Sequence, residues 1–133
     1  MKIQVSTDYA IRILQYLHKH RDVELHGSAG VAQEIGVTYP FFIKIVSQLR
    51  RHGLVVSTQG RNGGYALAKP AHEISLYDVY RCTAGELQIN PCLAGEPCTK
   101  GEHKDCKLHH IFRDLQEGMR EKLSSQTIAD LVG

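Results

Sequence analysis

The chain has 133 residues, of which 42% are hydrophobic and 23% charged, so a single globular domain is expected and wholesale disorder or a fibrous architecture is excluded. Sixteen lysines and arginines against fourteen acidic residues give a formal net charge of +2, which argues for nucleic-acid binding only where positive side chains cluster. No apolar run is long enough to span a membrane, and the N-terminal segment lacks the apolar stretch of a signal peptide, so we expect a cytoplasmic protein.

A first amphipathic helix is predicted over residues 6–20, with Ser6 or Thr7 as its capping residue. Its apolar positions recur at helical spacing, at Ala10, Ile13, Leu14 and Leu17. Two further helices follow. The shorter one opens in the segment HGSAG at 26–30 and is closed by Gly36, and the next begins after Thr38 and stops at Gly53.

Two helices joined by a short turn form a helix-turn-helix, whose second helix can enter a major groove of DNA. The following residues predict a hairpin, with strands at 54–57 and 65–68 and a glycine-rich turn at 59–64. This order of elements predicts a winged helix, and the fold class is mainly α with a small β-hairpin wing.

Positive side chains concentrate on the third helix and the hairpin, where they could contact phosphates: Lys44, Arg50, Arg51, His52, Arg61 and Lys69. We expect Thr38, Tyr39 and Lys44 to face the groove, and Arg61 and Asn62 at the wing tip to reach the minor groove or the backbone. The alternative interpretation is a solvated basic face beside an ordinary β-corner.

Another short helix is predicted around Leu76 to Tyr80, followed by a loop with the sequence INPCLAGEPCTKGEHKDC. A final helix carries an apolar stripe with a spacing close to that of a coiled-coil seam: Leu108, Ile111, Phe112, Leu115, Met119 and Leu123. Arg113 and Glu117 are placed to pair one turn apart. The stripe favours a homodimer, although a helix packed on its own domain has the same pattern.

The loop contains Cys92, Cys98 and Cys106, with five and seven residues between them, and His109 follows at the start of the last helix. Structural zinc sites usually contain close cysteine pairs, which this loop lacks, whereas iron–sulfur clusters tolerate wider and unequal spacing. Three reduced thiols without a metal are the alternative. Cys82 lies in an apolar helical pattern, which indicates a buried side chain rather than a ligand.

Six segments together resemble the bacterial winged-helix repressor family that contains the iron–sulfur cluster regulator IscR and the nitric-oxide sensor NsrR. They are TDYAIR, QLRRHGLV, GRNGGYAL, the three-cysteine loop, CKLHHIFRDL and TIADLV, and they cover nearly the whole chain. The resemblance implies a homodimeric transcription regulator, held by the helix that begins near Leu108, which presents two winged helices to a palindromic operator. No P-loop, dinucleotide-binding glycine pattern or nucleophile elbow suggests an enzyme.

The resemblance implies that the cluster thiolates are Cys92, Cys98 and Cys106. In members similar to the cluster regulator, the fourth ligand is a histidine that matches His109. Nitric-oxide-sensing members can use an aspartate that matches Asp8. This aspartate would come from elsewhere, such as the partner subunit. We favour His109, because it is three residues from Cys106 along a helix. The sequence departs from the cluster regulator in its seven-residue spacing before Cys106 and in Gln59, where an arginine often precedes the wing glycines.

By role, residues 1–80 are expected to form the DNA-binding region, 81–106 the cluster loop and 107–133 the dimerisation helix and tail of one compact domain. The leading hypothesis is a sequence-specific transcription regulator whose operator binding depends on an iron–sulfur cluster of two or four irons that senses iron–sulfur status, redox state or nitric oxide. The alternatives are a cluster-free repressor that responds to thiol oxidation and, in another class, a zinc or electron-transfer protein.

Overall fold

A computed structural model describes residues 3–21, 27–60, 63–94 and 106–131. Three helices come first, α1 (Val5–Lys19), α2 (Ser28–Ile35) and α3 (Tyr39–Arg51), and the strands β1 (Val55–Thr58) and β2 (Gly64–Leu67) form a hairpin. After a short 3₁₀ turn (Ala71–Glu73) come α4 (Leu76–Ala84), a second 3₁₀ turn (Pro91–Ala94), α5 (Lys107–Ser125) and α6 (Ile128–Leu131). The predicted fold class, a mainly helical chain with a hairpin wing, is confirmed.

One hydrophobic core joins the helix-turn-helix to α1, α4 and α6. Each of these elements contributes fully buried side chains at helical spacing, among them Ile13, Leu14, Phe42, Ile45, Leu49, Val79 and Ile128. The ring of Phe42 also packs edge-on against Tyr65 of the hairpin, with ring centroids 5.8 Å apart. The core therefore fixes α3 and the wing as one unit.

The termini of the first three helices agree with the sequence except at the start of α1. Thr38 caps α3 by accepting a hydrogen bond from the amide of Phe41, and Gly36 ends α2 with a left-handed φ of 85°. The prediction that Ser6 or Thr7 caps α1 is wrong, because the helix begins at Val5 with Gln4 at the capping position, two to three residues earlier. Thr7 is instead buried and hydrogen-bonds Thr83 of α4, with 2.6 Å between the hydroxyl oxygens.

The hairpin strands are antiparallel, with Val55 paired to Leu67 and Thr58 paired to Gly64. β1 starts one residue later than predicted and β2 one residue earlier. The turn requires a glycine at Gly63, because a side-chain carbon there would overlap the carbonyl of Thr58. The amide of Gly63 also donates a hydrogen bond to the carbonyl of Gly60 at 3.0 Å, so the hairpin is closed tightly beside Thr58.

A second, smaller cluster attaches α5 to the rest of the chain. It is built on the buried residues Tyr77, Tyr80 and Leu87, against which Met119 and Leu123 of α5 pack. The guanidinium group of Arg120 lies over the ring of Tyr77, 5.8 Å from its centroid. α4 therefore lies between the main core and α5, and the expected division after residue 80 falls inside this helix.

The predicted stripe on α5 divides between two environments. Leu108, Ile111 and Leu115 are about half exposed, whereas Met119 and Leu123 face the Tyr77 cluster. The predicted pairing of Arg113 with Glu117 is wrong, because Arg113 lies 3.9 Å from Asp114 and Glu117 pairs with Arg120 at 3.0 Å. Within the described ranges, none of the helices has the length and apolarity needed to cross a bilayer.

Candidate DNA-binding surface and cysteine–histidine site

The outer face of α3 is polar and accessible. Its inner face is anchored by Phe42, Ile45 and Leu49, so that side chains on the opposite side point to solvent. The exposed positions include most of the predicted groove-facing and phosphate-contacting residues: Thr38, Tyr39, Lys44, Arg50 and Arg51. The hydroxyl of Thr38 is at the same time the cap of the helix, 3.4 Å from the amide nitrogen of Phe41.

Arg50 connects α3 to the wing. Its Nη1 donates a hydrogen bond to the hydroxyl of Ser57 on β1, at 3.2 Å. Arg50 and Ser57 line one groove together with Gly27, at the start of α2, and the glycines at either end of the wing turn. The described parts of α2, α3 and the hairpin thus border one continuous polar surface.

The charge of this region has one sign. No acidic residue occurs between Glu34 and Glu73, while the same stretch contains five lysines and arginines: Lys44, Arg50, Arg51, Arg61 and Lys69. The small net charge of the chain therefore conceals a basic segment, which is offset by the ten acidic and seven basic residues from Glu73 onward. Arg61 and Asn62, the predicted wing-tip contacts, lie outside the described residues.

The first turn of α5 brings together sulfur and nitrogen atoms. Cys106 is the N-cap residue of the helix, and its Sγ accepts a hydrogen bond from the backbone amide of His109 at 3.4 Å. The Nδ1 atom of the His109 ring lies 3.3 Å from Sγ of Cys92, which belongs to the 3₁₀ turn that ends at Ala94. Two of the predicted thiol ligands therefore lie near the same histidine.

Asp8, the other candidate for the fourth ligand, lies elsewhere in the chain. It is on the exposed side of α1, where its carboxylate is 3.3 Å from Nε of Arg12. Cys98 lies outside the described residues, and within the described ranges no three histidine, cysteine or acidic side chains are grouped closely enough to hold a metal ion. Thiolate sulfur and imidazole nitrogen are nevertheless donors that suit an iron–sulfur cluster, so Cys92, Cys106 and His109 fit such a group chemically.

The sequence did not predict a role for Gln116. This residue is only 6% exposed, and its Oε1 accepts a hydrogen bond from the backbone amide of Ile89 at 3.0 Å. Ile89 lies three residues before Cys92, and Gln116 lies two helical turns after His109. A polar residue on the inner face of an amphipathic helix was the signal that could have identified it.

Known families and proteins resemble this chain over nearly its whole length. The family described as Rrf2, iron-dependent transcriptional regulator, matches residues 3–133. Protein aau3 of Rhizobium meliloti is 36% identical over 99% of this chain and 85% of its own length. The transcriptional regulator NsrR of Shouchella clausii is 30% identical (99% and 89%), and IscR of Serratia proteamaculans is 32% identical (84% and 70%).

Solved structures have the same fold. CymR, the global cysteine regulator of B. subtilis, is 26% identical, with a TM-score of 0.81 over 99% of this chain and 96% of that one. IscR of T. potens, at 24% identity, has a TM-score of 0.75 over 98% and 85%. These likenesses support the winged-helix architecture.

Cys82 is predicted to be the least reactive of the described cysteines. Its side chain is 6% exposed in the main core, and burial raises the pKa of its thiol to about 11, against a smaller opposing effect of the Arg51 charge. Only the thiolate is nucleophilic. In reduced protein at neutral pH, we expect iodoacetamide to modify Cys82 at least tenfold more slowly than Cys92 and Cys106, as measured by peptide mass spectrometry. Equal rates at the three thiols would contradict this assignment.

Proposed function

The chain belongs to the Rrf2 family of iron-dependent transcriptional regulators, and we propose that it is a sequence-specific repressor whose operator affinity depends on an iron–sulfur cluster. Transcriptional regulators of this family bind DNA, and the relatives are regulators rather than enzymes. The observation that carries the cluster proposal is the proximity of Cys92 and Cys106 to His109 at the start of α5.

We assign DNA contact to the exposed face of α3 and to the wing. Lys44 is central on this face, Arg50 spans α3 and β1, and no acidic residue of the segment from 35 to 72 opposes the phosphate charge. Tyr39 and Thr38, at the N-terminal end of α3, are assigned to base edges in the major groove. Arg61 and Asn62 are assigned to the wing tip. A regulator of this kind acts on the chromosome, so the cytoplasm is its proposed location.

We assign the cluster to Cys92, Cys98 and Cys106, with His109 as the preferred fourth ligand and Asp8 as the alternative. When bound, such a cluster supplies a centre that responds to oxidants, nitric oxide or iron supply. The protein would contribute by holding the sulfur of Cys92 against the imidazole of His109, while Cys106 is fixed as the cap at the start of the same helix. Asp8 would have to be supplied by a partner protomer.

A homodimer is proposed from the exposed part of the α5 stripe. Leu108, Ile111 and Leu115 are 49%, 54% and 55% exposed and occupy one side of the helix. A row of exposed apolar side chains is typical of an interaction surface, and a second copy of the chain would cover it. Two winged helices would then face one palindromic operator.

A cluster-free repressor that responds to thiol oxidation is the second candidate. CymR of Staphylococcus aureus, solved in an oxidised form, is 26% identical over 99% of this chain and 96% of that one. Two half-buried cysteines near one histidine would serve such a response as well. Iron and acid-labile sulfide in protein purified without oxygen support the first function. The absence of both would support the second.

The DNA assignment predicts that Lys44→Ala weakens operator binding severalfold. Loss of one phosphate contact should also reduce the slope of log affinity against log salt by about 0.9. The operator is first obtained by selection of bound genomic fragments, and affinities are then measured by fluorescence anisotropy at several salt concentrations. Arg113→Ala, an exposed substitution on the side of α5 opposite Leu115, is the control and should retain wild-type affinity. Equal binding by the two variants would remove Lys44 from the interface.

The ligand assignment predicts that His109→Ala loses more iron and sulfide per chain than Asp8→Ala after anaerobic reconstitution. His109 is already adjacent to Cys92, whereas Asp8 is paired with Arg12 on α1. Iron, acid-labile sulfide and the visible spectrum report cluster content, and the lifetime in air reports cluster stability. If only Asp8→Ala loses the cluster, the fourth ligand is the aspartate of the partner protomer.

The cluster proposal also requires that holo and apo protein differ in operator affinity, since only a state-dependent affinity can transmit a signal. Both forms are measured at one salt concentration. Equal affinity would eliminate the cluster as the effector while leaving DNA binding intact.

The dimer assignment predicts that Leu115→Glu weakens self-association at least tenfold, because a charge would be buried in the apolar contact. Sedimentation equilibrium measures the dissociation constant. Glu121→Gln, exposed on another side of α5, is the control. A dimer unchanged by Leu115→Glu would place the interface elsewhere.

A further inference from the structure

The segment that carries Cys92 is attached to α5 at two points. The first is the hydrogen bond from the Ile89 amide to Gln116, at 3.0 Å, and the second is the approach of Cys92 Sγ to the His109 ring, at 3.3 Å. His109 and Gln116 are seven residues apart, which places them on the same side of α5, about 10 Å apart along its axis. The chain between the two attachments is only three residues long, and Cys92 at its end already belongs to the 3₁₀ turn Pro91–Ala94. The segment is therefore short and is held at both ends.

The burial of Gln116 shows that its amide is committed to this contact. The side chain is 6% exposed, and Ile89, whose amide donates to its Oε1, packs against the cluster of Tyr77, Tyr80 and Leu87. A buried amide is costly unless it is hydrogen-bonded, and an apolar residue of similar volume would pack here without that requirement. The Oε1 atom of Gln116 therefore serves to hold the main chain at Ile89.

The other end of the segment is also fixed. Leu87 is fully buried, and the carboxylate of Glu86 accepts a hydrogen bond from the Tyr77 hydroxyl at 2.9 Å and lies 3.5 Å from Nε of Arg81. The chain thus leaves α4 from a fixed point and reaches Cys92 after only five further residues. The hydrogen bond from Ile89 to Gln116 holds this short segment against α5, on the side where His109 lies.

We propose that Gln116 is a positioning residue that places Cys92 beside His109, and so sets the geometry of the ligand site assigned above. The assignment of that site rests on the proposed function, but the placement of Cys92 is a property of the protein without a cluster. Gln116 is not assigned as a ligand, because its Oε1 already accepts a hydrogen bond from the Ile89 amide; it acts through the Ile89 main chain.

Two substitutions separate the hydrogen bond from the volume of the side chain. Gln116→Met keeps the size but removes the acceptor. Gln116→Glu keeps an acceptor oxygen, and its charge would lie one turn from Arg120, whose Nε is buried without a hydrogen-bond partner among the described residues. Leu123→Ala, on the same side of α5 in the same cluster, is the control for simple loss of stability.

The primary measurement is nuclear magnetic resonance on the reduced, cluster-free full chain. In Gln116→Met, we expect the Ile89 amide to exchange with solvent roughly tenfold faster, as for loss of one hydrogen bond. We also expect the nuclear Overhauser contacts between the His109 ring and the Cys92 side chain to disappear. Gln116→Glu and Leu123→Ala should retain both signals. The inference is overturned if Gln116→Met keeps these signals or if Leu123→Ala loses them equally.

Anaerobic reconstitution with ferrous iron and sulfide then tests the consequence. We expect Gln116→Met to bind at most half as much iron and sulfide per chain as wild type, and Gln116→Glu to restore the wild-type amount. Wild-type protein that takes up neither element would refute the proposed cluster and leave the resonance measurement to decide the role of Gln116. Normal uptake by Gln116→Met would refute the positioning role and leave the cluster proposal intact.

Discussion

The arrangement of this protein depends on α4, because one short helix is packed on both sides. Val79 and Cys82 are buried in the main core with the side chains of α1 and α3, whereas Tyr77 and Tyr80 are buried against α5 and Leu87. A capping box, in which Ser75 and Asp78 bond each other's main-chain amides, fixes where the helix begins. The DNA-binding surface and the cysteine–histidine site are therefore held by opposite sides of the same nine residues.

The elements whose boundaries depend on local chemistry could be predicted from the sequence. Gly36 ends a helix through a left-handed φ, and Thr38 caps the next one by its own hydroxyl, so both signals act within a few residues. The start of α1 could not be predicted in this way. Thr7 has a residue type typical of a cap, but its hydroxyl is used by Thr83, which is distant in sequence and adjacent only after folding.

The candidate site was predictable to a similar extent. The spacing of Cys106 and His109 on one helix start is local, and the structure places them as cap and third helical residue. The approach of Cys92 to His109 and the contact of Gln116 with Ile89 join segments 17 and 27 residues apart. Periodicity assigns residues to faces of a helix but does not identify the segments that those faces contact. For the same reason it predicts a single apolar surface on α5, whereas the structure divides the stripe into an exposed part and a part that packs on α4.

The stiffness of the core limits how a signal at α5 could reach DNA. The side chains that connect α4 to α3 are fully or almost fully buried, and close-packed interiors resist gradual distortion. We therefore expect a change near Cys92 to leave the angle between α3 and α4 within one protomer unchanged. The exposed residues Leu108, Ile111 and Leu115 lie on the first turns of α5, and His109 lies among them. In the proposed dimer, a shift of the first turns of α5 would move one whole winged helix relative to the other, and the operator would detect the change as altered spacing between two rigid units.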